Sequence, residues 1–333
     1  MKKILNNPEK YVDEALAGLA LAHPQTYRQL GSKGRVIVRR QPKETGKVGV
    51  ASGGGFGHLP LFTGYVGRSL LDSCAVGDVF AGPSLDDVTS ALQSANLGAG
   101  VLVVIGNYGG DRMVFEMAAE DLGTEGIPTE TVIVADDVAS APPDESTKRR
   151  GVAGVVLAFK IAGAAAEAGQ SLQDVAAVTR RALEGCRSIG VALSPCTVPQ
   201  AGKPTFVLDD DAIEMGMGIH GEQGVWRGAL KPADELADEM LDRLVADMPL
   251  ESGGRIALLC NSLGATPLDE LYILYRRLAH RLAAMNVEIA IPLVGHYATS
   301  MEMAGASVTA MKLDGELERL LRAAADCPYW KNL

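Results

Sequence analysis

Residues Val48–Pro60 read VGVASGGGFGHLP, an apolar run followed directly by a glycine-rich turn. The apolar half predicts a buried strand, and a glycine-rich turn at the carboxyl end of a parallel strand is the usual ligand position in an open α/β sheet. The turn lacks the Gly-Lys-Ser/Thr of a phosphate-binding loop, and His58 stands where a dinucleotide fingerprint has its last glycine. Two interpretations are open. Either the backbone amides of this turn bind a polyol or carbonyl ligand and His58 acts on it as a base, or His58 caps a tight turn.

Short β-rich runs alternate with longer helical runs along the rest of the chain, which predicts α/β layers rather than a β-sandwich or a helical bundle. The predicted strands are Arg35–Val38, Val48–Ala51, Val101–Ile105, Thr131–Ala135, Ile256–Leu259, Val287–Pro292 and Val308–Lys312. The predicted helices are Pro8–Ala22, Leu85–Ala95, Arg112–Leu122, Gly151–Ala168, Ser171–Ile189, Pro232–Met248, Pro267–Ala284 and Gly315–Ala325.

The length of 333 residues favours two domains, each with its own core. Three prolines interrupt the run Val191–Pro204, which favours neither a helix nor a strand and places the boundary just before it. We therefore predict two α/β domains, residues 1–188 and 189–333, each with a largely parallel or mixed sheet flanked by helices.

The charge balance excludes several classes of partner. A net charge of −10 disfavours a nucleic-acid groove and an anionic membrane surface, because both require clustered Lys and Arg. The one compact basic run, Lys148–Arg150, is predicted to be a solvated helix start.

The sequence shows no signal peptide and no apolar stretch of membrane-spanning length. Its five cysteines form no CxxC pair, which disfavours a disulfide scaffold and a zinc site, so we predict a cytoplasmic protein without a metal site.

A second glycine-rich loop, Gly106–Asp111, reads GNYGGD and follows the predicted strand Val101–Ile105. Asp111 begins the next helix. Taken alone it is a favourable carboxylate at a helix N-terminus. Two glycine-rich turns after two strands also favour a shared site, in which Asp111 orients an imidazole or accepts a hydroxyl proton.

A third loop, Gly216–Gly224, reads GMGIHGEQG and brackets His220 with glycines. Glycine lets backbone approach a ligand closely, and histidine is suited to act as a nucleophile or proton carrier near neutral pH. His220 is therefore either a reaction centre or a hydrogen-bonded loop residue. The other histidines are weaker candidates: His23 as a helix cap, His280 as a solvated helix residue and His296 as a structural residue.

These three loops, in this order and spacing, resemble the substrate-binding subunit of the dihydroxyacetone kinase family. The similarity runs from Met1 to Trp330. It includes the stretches AVGDVFA at 75–81, VADDV at 134–138, VALSPCTVP at 191–199, GKPTF at 202–206, ELY at 270–272 and MAGAS at 303–307.

The resemblance implies a covalent mechanism. His220 would capture the carbonyl carbon of a ketose as a hemiaminal, while the general base His58 and the carboxylate of Asp111 would remove the proton from the terminal hydroxyl as it attacks a phosphoryl group. The substrate-binding residues implied are Gly55, Phe56, Gly57, His58, Gly106, Asp111 and His220.

The resemblance also implies partners. The chain would act as a homodimer, bind no cofactor itself, and require a separate kinase subunit that carries the nucleotide and magnesium. In bacterial members a phosphoenolpyruvate-dependent phosphocarrier often rephosphorylates that subunit.

The chain departs from the family's usual loops, GGGSGHEP and KNYTGD. Phe56 replaces the serine, Leu59 the glutamate, Gly106 the lysine and Gly109 the threonine. Two functions therefore stay open: a phosphotransferase subunit for dihydroxyacetone or a close relative such as a four-carbon ketose, and a ketose-sensing paralogue that regulates a partner. An oxidoreductase is disfavoured because no dinucleotide fingerprint follows any predicted strand.

Overall fold

The computed structural model describes residues 2–42 and 46–332, which form two six-stranded sheets and a short C-terminal hairpin. The first sheet has the order β1-β2-β4-β3-β5-β6, and its four strands from β4 to β6 are parallel. Its strands are β1 (Tyr27–Leu30), β2 (Val36–Arg39), β3 (Lys47–Phe56), β4 (Ser73–Val79), β5 (Gly98–Gly106) and β6 (Thr129–Val134).

The second sheet has the order β11-β10-β12-β7-β8-β9 and is mostly antiparallel, with one parallel pair between β10 and β11. Its strands are β7 (Cys186–Ser194), β8 (Ala212–Met215), β9 (Trp226–Ala229), β10 (Arg255–Ser262), β11 (Glu288–Gly295) and β12 (Ala304–Lys312). The hairpin pairs β13 (Ala325–Cys327) with β14 (Trp330–Asn332).

The α-helices are α1 (Tyr11–Ala22), α2 (Leu85–Ala95), α3 (Gly109–Thr124), α4 (Gly154–Glu167), α5 (Leu172–Glu184), α6 (Ala233–Asp247), α7 (Leu268–Ala284) and α8 (Gly315–Arg322). Short 3₁₀ turns lie at Pro8–Lys10, Thr63–Tyr65 and Pro143–Lys148. No helix in these described ranges is both long and apolar enough to cross a membrane.

Strand β5 shows how each face of the first sheet is covered. Val101, Val103 and Ile105 pack against α2 and α3, whereas the alternate residues Leu102 and Val104 point into the main core. Successive side chains of a strand point to opposite faces, so a strand covered on both sides reads as a continuous apolar run. Helices on both faces therefore explain the unbroken apolar sequence.

Helix α4 lies between the two sheets and joins their cores. Every residue of α4 from Gly154 to Ala166 is buried, as expected of a helix that is apolar all round. The same core cluster contains Leu102 of the first sheet and Leu259 of the second. The far face of the second sheet packs against α6 and α7. The layers thus run helices, sheet, shared helices, sheet, helices.

The predicted class, α/β with two largely parallel or mixed sheets flanked by helices, is confirmed. The domain boundary between residues 188 and 189 stays a prediction; it falls after the third residue of β7.

Two predicted helices extend too far at their C-terminal ends. Gly315–Ala325 runs beyond Arg322, where α8 ends, and its last residue begins β13. Ser171–Ile189 was expected to be helical throughout, but α5 ends at Glu184 and β7 begins at Cys186. Gly185 between them is the C-cap, a position where glycine is favoured. The run Val191–Pro204, expected to form neither element, contributes its first four residues to β7, because pairing with β12 and β8 on either side outweighs the nearby prolines.

Besides β7, strands β1, β4, β8, β9, β13 and β14 were not predicted. They are short or carry glycine and charged residues, so their sequences lack the alternation or apolar run of a typical strand.

Candidate active site

The structure brings His58 and His220 together. His58 lies just after β3, separated from it by Gly57, and His220 lies in the loop between β8 and β9. Their ring centroids are 4.7 Å apart and the ring planes are nearly perpendicular, at 82°. Gly57, between β3 and His58, has φ of 108°, a backbone conformation that favours glycine. The two loops therefore meet at one site, although they belong to different sheets.

The hydrogen bond of His58 fixes where its proton lies. Nδ1 is 2.7 Å from the carbonyl oxygen of Thr299, which only accepts, so Nδ1 carries the hydrogen. Nε2 is then a lone-pair acceptor, and this buried atom has no hydrogen-bond partner. Burial, followed by the nearby His220, lowers the pKa of His58 to about 3, against the opposing effects of Thr299 and Glu222. His58 is thus a neutral imidazole with a free acceptor.

Glu222 holds His220 at two points. The ring Nδ1 is 3.0 Å from Oε1 of Glu222, and the backbone N–H of His220 donates to Oε2 at 2.9 Å. Burial opposes ionisation of Glu222, but the hydrogen bond and charge of His220, with Arg150 nearby, outweigh it and lower the pKa of Glu222 to about 2. Because an ionised carboxylate only accepts, the hydrogen between them belongs to Nδ1 of His220, and in the uncharged form of the ring Nε2 then has the lone pair.

Two aromatic side chains enclose the histidines. Phe80 stacks on His58, with centroids 5.0 Å apart, and meets His220 edge-on at 5.4 Å. Tyr108 lies edge-on to His220 at 4.7 Å, and its hydroxyl donates to the carbonyl oxygen of Gly151 at 3.0 Å. The ring of His220 is only 22% exposed. The rings of His58, Phe80 and Tyr108 therefore all contact the imidazole of His220.

Asp111 lies in the first turn of α3, where the sequence placed it. Its carboxylate sits against backbone of the neighbouring strand ends: a Cβ built on Gly82 would be 2.6 Å from Oδ1, and one built on Gly54 would be 3.5 Å from Oδ2. Burial raises the pKa of Asp111 to about 6, and the nearby His220 partly opposes this. The carboxyl group therefore changes protonation state close to neutral pH.

The glycines predicted to line the pocket lie close to its aromatic walls. A Cβ on Gly57 would be 2.7 Å from the ring of Phe80, and one on Gly55 would be 2.9 Å from the Cα of Phe80. The ring of Tyr108 covers Gly106, whose Cβ would be 3.1 Å from it.

Phe56 lies differently from the other predicted pocket residues. Its ring is buried in the main core, 6.0 Å from Tyr11 of α1 in an edge-to-face contact. Its carbonyl oxygen accepts a hydrogen bond of 2.9 Å from the backbone N–H of Phe80. Phe56 therefore positions a wall of the site through its backbone, while its ring packs towards α1.

The other histidines lie elsewhere. His23 is the C-cap residue of α1, His280 is exposed on α7, and His296 is exposed with Nε2 3.3 Å from the carbonyl oxygen of Gly264.

Four residues that the sequence did not assign belong to the site or its support: Phe80, Tyr108, Glu222 and Arg150. Phe80 follows a parallel strand next to β3, so recognising β4 as a strand would have indicated it. Tyr108 and Glu222 lie inside the glycine-rich loops already singled out.

The prediction for the run Lys148–Arg150 was wrong. Arg149 is 1% exposed and donates to Asp247 at 2.9 Å, and Arg150 donates to Asp137 at 2.9 Å. Asp247 is distant in sequence, so local charge patterning could not reveal this pairing. Among residues 2–42 and 46–332, no group of three or more His, Cys, Asp or Glu side chains is arranged to hold a metal ion.

Known proteins are similar in sequence to this chain along almost its whole length. The Dak1 domain family matches residues 17–329. The chain is 43% identical, over 95% of both proteins, to the dihydroxyacetone-binding subunit DhaK of a PTS-dependent dihydroxyacetone kinase from Listeria innocua. It is 41% identical over its full length to an L-erythrulose kinase from Pectobacterium atrosepticum, of which it spans 56%.

Solved structures share the same fold. The dihydroxyacetone kinase of C. freundii, in complex with AMP-PNP and Mg²⁺, superposes with a TM-score of 0.91 at 33% identity, covering 99% of this chain and 61% of that one. The operon co-activator Dha-DhaQ superposes with a TM-score of 0.90 at 30% identity, covering 96% and 98%. By sequence along nearly its whole length, and by fold, this chain belongs to the dihydroxyacetone kinase family as a Dak1-domain protein of the DhaK type.

Proposed function

We propose that this chain is the ketose-binding subunit of a phosphotransferase: it captures a short ketose on His220 and presents the ketose's terminal hydroxyl for phosphorylation. The observation that carries the proposal is the 3.0 Å contact between Nδ1 of His220 and Glu222, because it directs Nε2 of His220 to be the nucleophilic nitrogen, beside the neutral imidazole of His58. The kinase and ketose-binding names of the relatives support the same assignment.

The capture step needs one lone pair and a place for positive charge. The Nε2 lone pair of His220 forms a bond to the ketone carbon, and the carbonyl π pair moves to the oxygen, which takes up a proton. The ring becomes an imidazolium paired with the Glu222 carboxylate. The oxygen takes its proton from water and the ring returns its Nδ1 proton to water, so a neutral hemiaminal forms with no net change in protons. An alcohol such as glycerol has no electrophilic carbon, so this step selects ketones.

The second task is to accept a proton from the terminal hydroxyl. The buried Nε2 of His58 is an acceptor with no protein partner, which suits it to accept a hydrogen bond from a bound hydroxyl. Asp111 is predominantly ionised above its pKa of about 6 and lies at the same edge of the first sheet. We therefore assign His58 as the general base and Asp111 as the carboxylate that orients the hydroxyl by accepting a hydrogen bond from it.

The proposed substrate class rests on the side chains that border His220. Phe80 and Tyr108 lie against it and bring no charge, which favours a short, neutral ketose. The family's usual lysine is replaced by Gly106, so no cation is supplied at that position. Dihydroxyacetone and four-carbon ketoses are the candidates, matching the names of the Listeria innocua and Pectobacterium atrosepticum relatives.

The phosphoryl donor is proposed to come from another subunit. The chain spans 61% of the C. freundii kinase that binds AMP-PNP and Mg²⁺. The Listeria innocua relative is named PTS-dependent, which favours a nucleotide-carrying kinase subunit and a phosphocarrier protein as partners. We propose that nucleotide and magnesium are held by that subunit, and that this chain is a homodimer.

The likeness to the Dha-DhaQ co-activator favours a second candidate function. In that case capture on His220 would signal to a partner without phosphorylation. Retention of both His58 and Asp111 favours the kinase subunit, since a sensor needs the capturing histidine but no proton acceptor for a hydroxyl.

Capture is tested by native mass spectrometry and by ¹³C NMR with dihydroxyacetone labelled at its carbonyl carbon. We expect a one-ketose adduct in which the labelled carbon becomes tetrahedral, and no adduct in His220→Ala. An adduct that persists in His220→Ala contradicts the proposal. Addition of a cognate nucleotide-binding subunit then separates the two functions, because a sensor captures the ketose but does not turn it over.

A further inference from the structure

Behind His220 lies a chain of charged groups that ends at Asp137, in the segment that follows β6. Glu222 contacts both the backbone and the ring of His220. Nη1 of the Arg150 guanidinium lies 4.0 Å from Oε2 of Glu222. Arg150 in turn donates to Asp137 from Nε at 2.9 Å and contacts it through Nη2 at 2.7 Å.

Each member of this chain is held in place by more than one contact. Nη2 of Arg150 also donates to the carbonyl oxygen of Gly216, in the same loop as His220, at 2.9 Å. Asp137 accepts from the backbone N–H of Ala139 at 3.0 Å and lies almost wholly buried in the segment that follows β6. A guanidinium has a rigid donor geometry, so Arg150 can fix the position of the Glu222 carboxylate.

The glycine at position 218 is required by this arrangement. A Cβ on Gly218 would overlap Oε2 of Glu222 and lie 2.6 Å from Nη1 of Arg150. Only a residue without a side chain lets the two charged groups meet beneath the histidine loop. The glycine-rich sequence around His220 thus has a physical reason apart from contact with a ligand.

We propose that Arg150 and Asp137, from the first half of the chain, are positioning residues that hold Glu222 so that His220 keeps its hydrogen on Nδ1 and its lone pair on Nε2. This inference deepens the proposed function, and its value to the protein rests on His220 being the capturing residue. A histidine's partner at one ring nitrogen sets the reactivity of the other, because it fixes both tautomer and orientation.

The test reads the tautomer directly in the free protein. Long-range ¹H–¹⁵N correlation spectra of ¹⁵N-histidine-labelled protein distinguish hydrogen on Nδ1 from hydrogen on Nε2, and the His220 signals are those lost in His220→Gln. We expect wild type to show Nδ1–H. We expect Arg150→Met and Glu222→Gln to show a mixture of the two tautomers.

Capture of ¹³C-labelled dihydroxyacetone should slow in the same variants. The loss should lie between about tenfold and 10⁴-fold, the upper figure being that for a catalytic histidine left in the wrong tautomer. Arg150→Lys keeps the charge but not the rigid fork, so it should restore part of the rate. Arg180→Met, which removes an exposed arginine paired with Glu130, is the matched control and should behave as wild type.

The proposal is overturned if Arg150→Met keeps wild-type tautomer and capture rate. Thermal unfolding checks each variant, and if Arg150→Met does not fold, the same unchanged result in both Arg150→Lys and Asp137→Asn overturns it. A third outcome separates the two proposals. If wild type shows Nδ1–H and the variants lose it, but wild type captures no ketose, the positioning role of Arg150 is supported and the proposed function is contradicted.

Discussion

The ring of His58 donates from Nδ1 to the carbonyl oxygen of Thr299, which lies 2.7 Å away in the segment between β11 and β12. Backbone from the second half of the chain thus sets the tautomer of a histidine from the first. The return contact, from the backbone N–H of Thr299 to the carbonyl oxygen of His58 at 3.3 Å, ties the two segments together. Nε2 of His58 is left as an acceptor inside the site, which separates its role from that of His220.

Substitution of His58 should separate capture from phosphorylation. His58→Asn removes the free acceptor but leaves His220 and Glu222 in place. We expect the ketose adduct on His220 still to form, while phosphoryl transfer falls by about 10²- to 10⁴-fold, the usual contribution of a general base. Native mass spectrometry measures the first and a coupled phosphorylation assay the second. His280→Asn, at an exposed position on α7, is the control. Equal loss of both steps would argue against a base role.

The partly buried carboxylate of Asp111 should lower the free energy of unfolding at neutral pH. Its pKa is about 6 in the folded state, against 3.8 for an ordinary aspartate, so the native state binds more protons between these values and stability falls as pH rises through them. Asp111→Asn removes that cost. At pH 8 we expect the variant to have a free energy of unfolding on the order of 2 kcal/mol above that of wild type, and so a higher unfolding temperature. At pH 4 the two proteins should be almost equally stable.

The same variant should lose phosphoryl transfer, because a neutral amide replaces the carboxylate that orients the substrate hydroxyl towards His58. Thermal melts of both proteins across this pH range provide the measurement. A stability difference that does not change with pH would show that burial of the charge is not its source.

The features that could be predicted from the sequence are those determined by residues close together along the chain. The strand that includes Val101–Ile105 is predicted because apolar residues buried on both faces leave a continuous run. The end of α5 was missed although Gly185 marked it, since the following β7 residues suit either element until pairing decides. The site residues His58, Asp111 and His220 stood out because glycines flank them.

The partners of the site residues could not be read in the same way. Phe80 and Tyr108 become walls only when strand ends from different parts of the chain are brought side by side. The buried pairing of Arg149 with Asp247 joins residues far apart in sequence, so a local charge pattern suggests a solvated run instead. Long-range pairing, rather than residue type, decided these positions.

Gly106 should control the position of Tyr108. A Cβ at Gly106 would lie 3.1 Å from the tyrosine ring, closer than ordinary packing, so Gly106→Ala must displace the ring that borders His220. We expect KM for the ketose to rise about tenfold with a smaller effect on kcat, a loss of roughly 1.4 kcal/mol in binding. Rates measured for dihydroxyacetone and erythrulose in parallel show whether the shorter ketose is less affected.

Gly123→Ala is the matched control for this change. Gly123 is an exposed helical glycine of α3 with no atom within 4 Å of its Cβ position. Alanine should therefore leave KM unchanged and stabilise the helix by up to about 1 kcal/mol. If Gly106→Ala also leaves KM unchanged, the position of Tyr108 does not limit ketose binding.

Lys160 offers a test of the shared core. Its side chain is fully buried in α4, between the two sheets, and Nζ donates to the carbonyl oxygen of Leu320 in the last turn of α8 at 2.6 Å. Burial lowers the pKa of Lys160 to about 8 from 10.5, so the unfolded chain holds this proton more tightly and native stability rises as pH increases through that range. Relative to Lys160→Met, wild type should therefore gain on the order of 3 kcal/mol between pH 7 and pH 10.5. Denaturant unfolding at both pH values measures this gain, with the exposed Lys148→Met as control. A constant difference between wild type and Lys160→Met would mean that the ammonium is as well solvated in the fold as in water, and that α4 does not seal the space between the sheets.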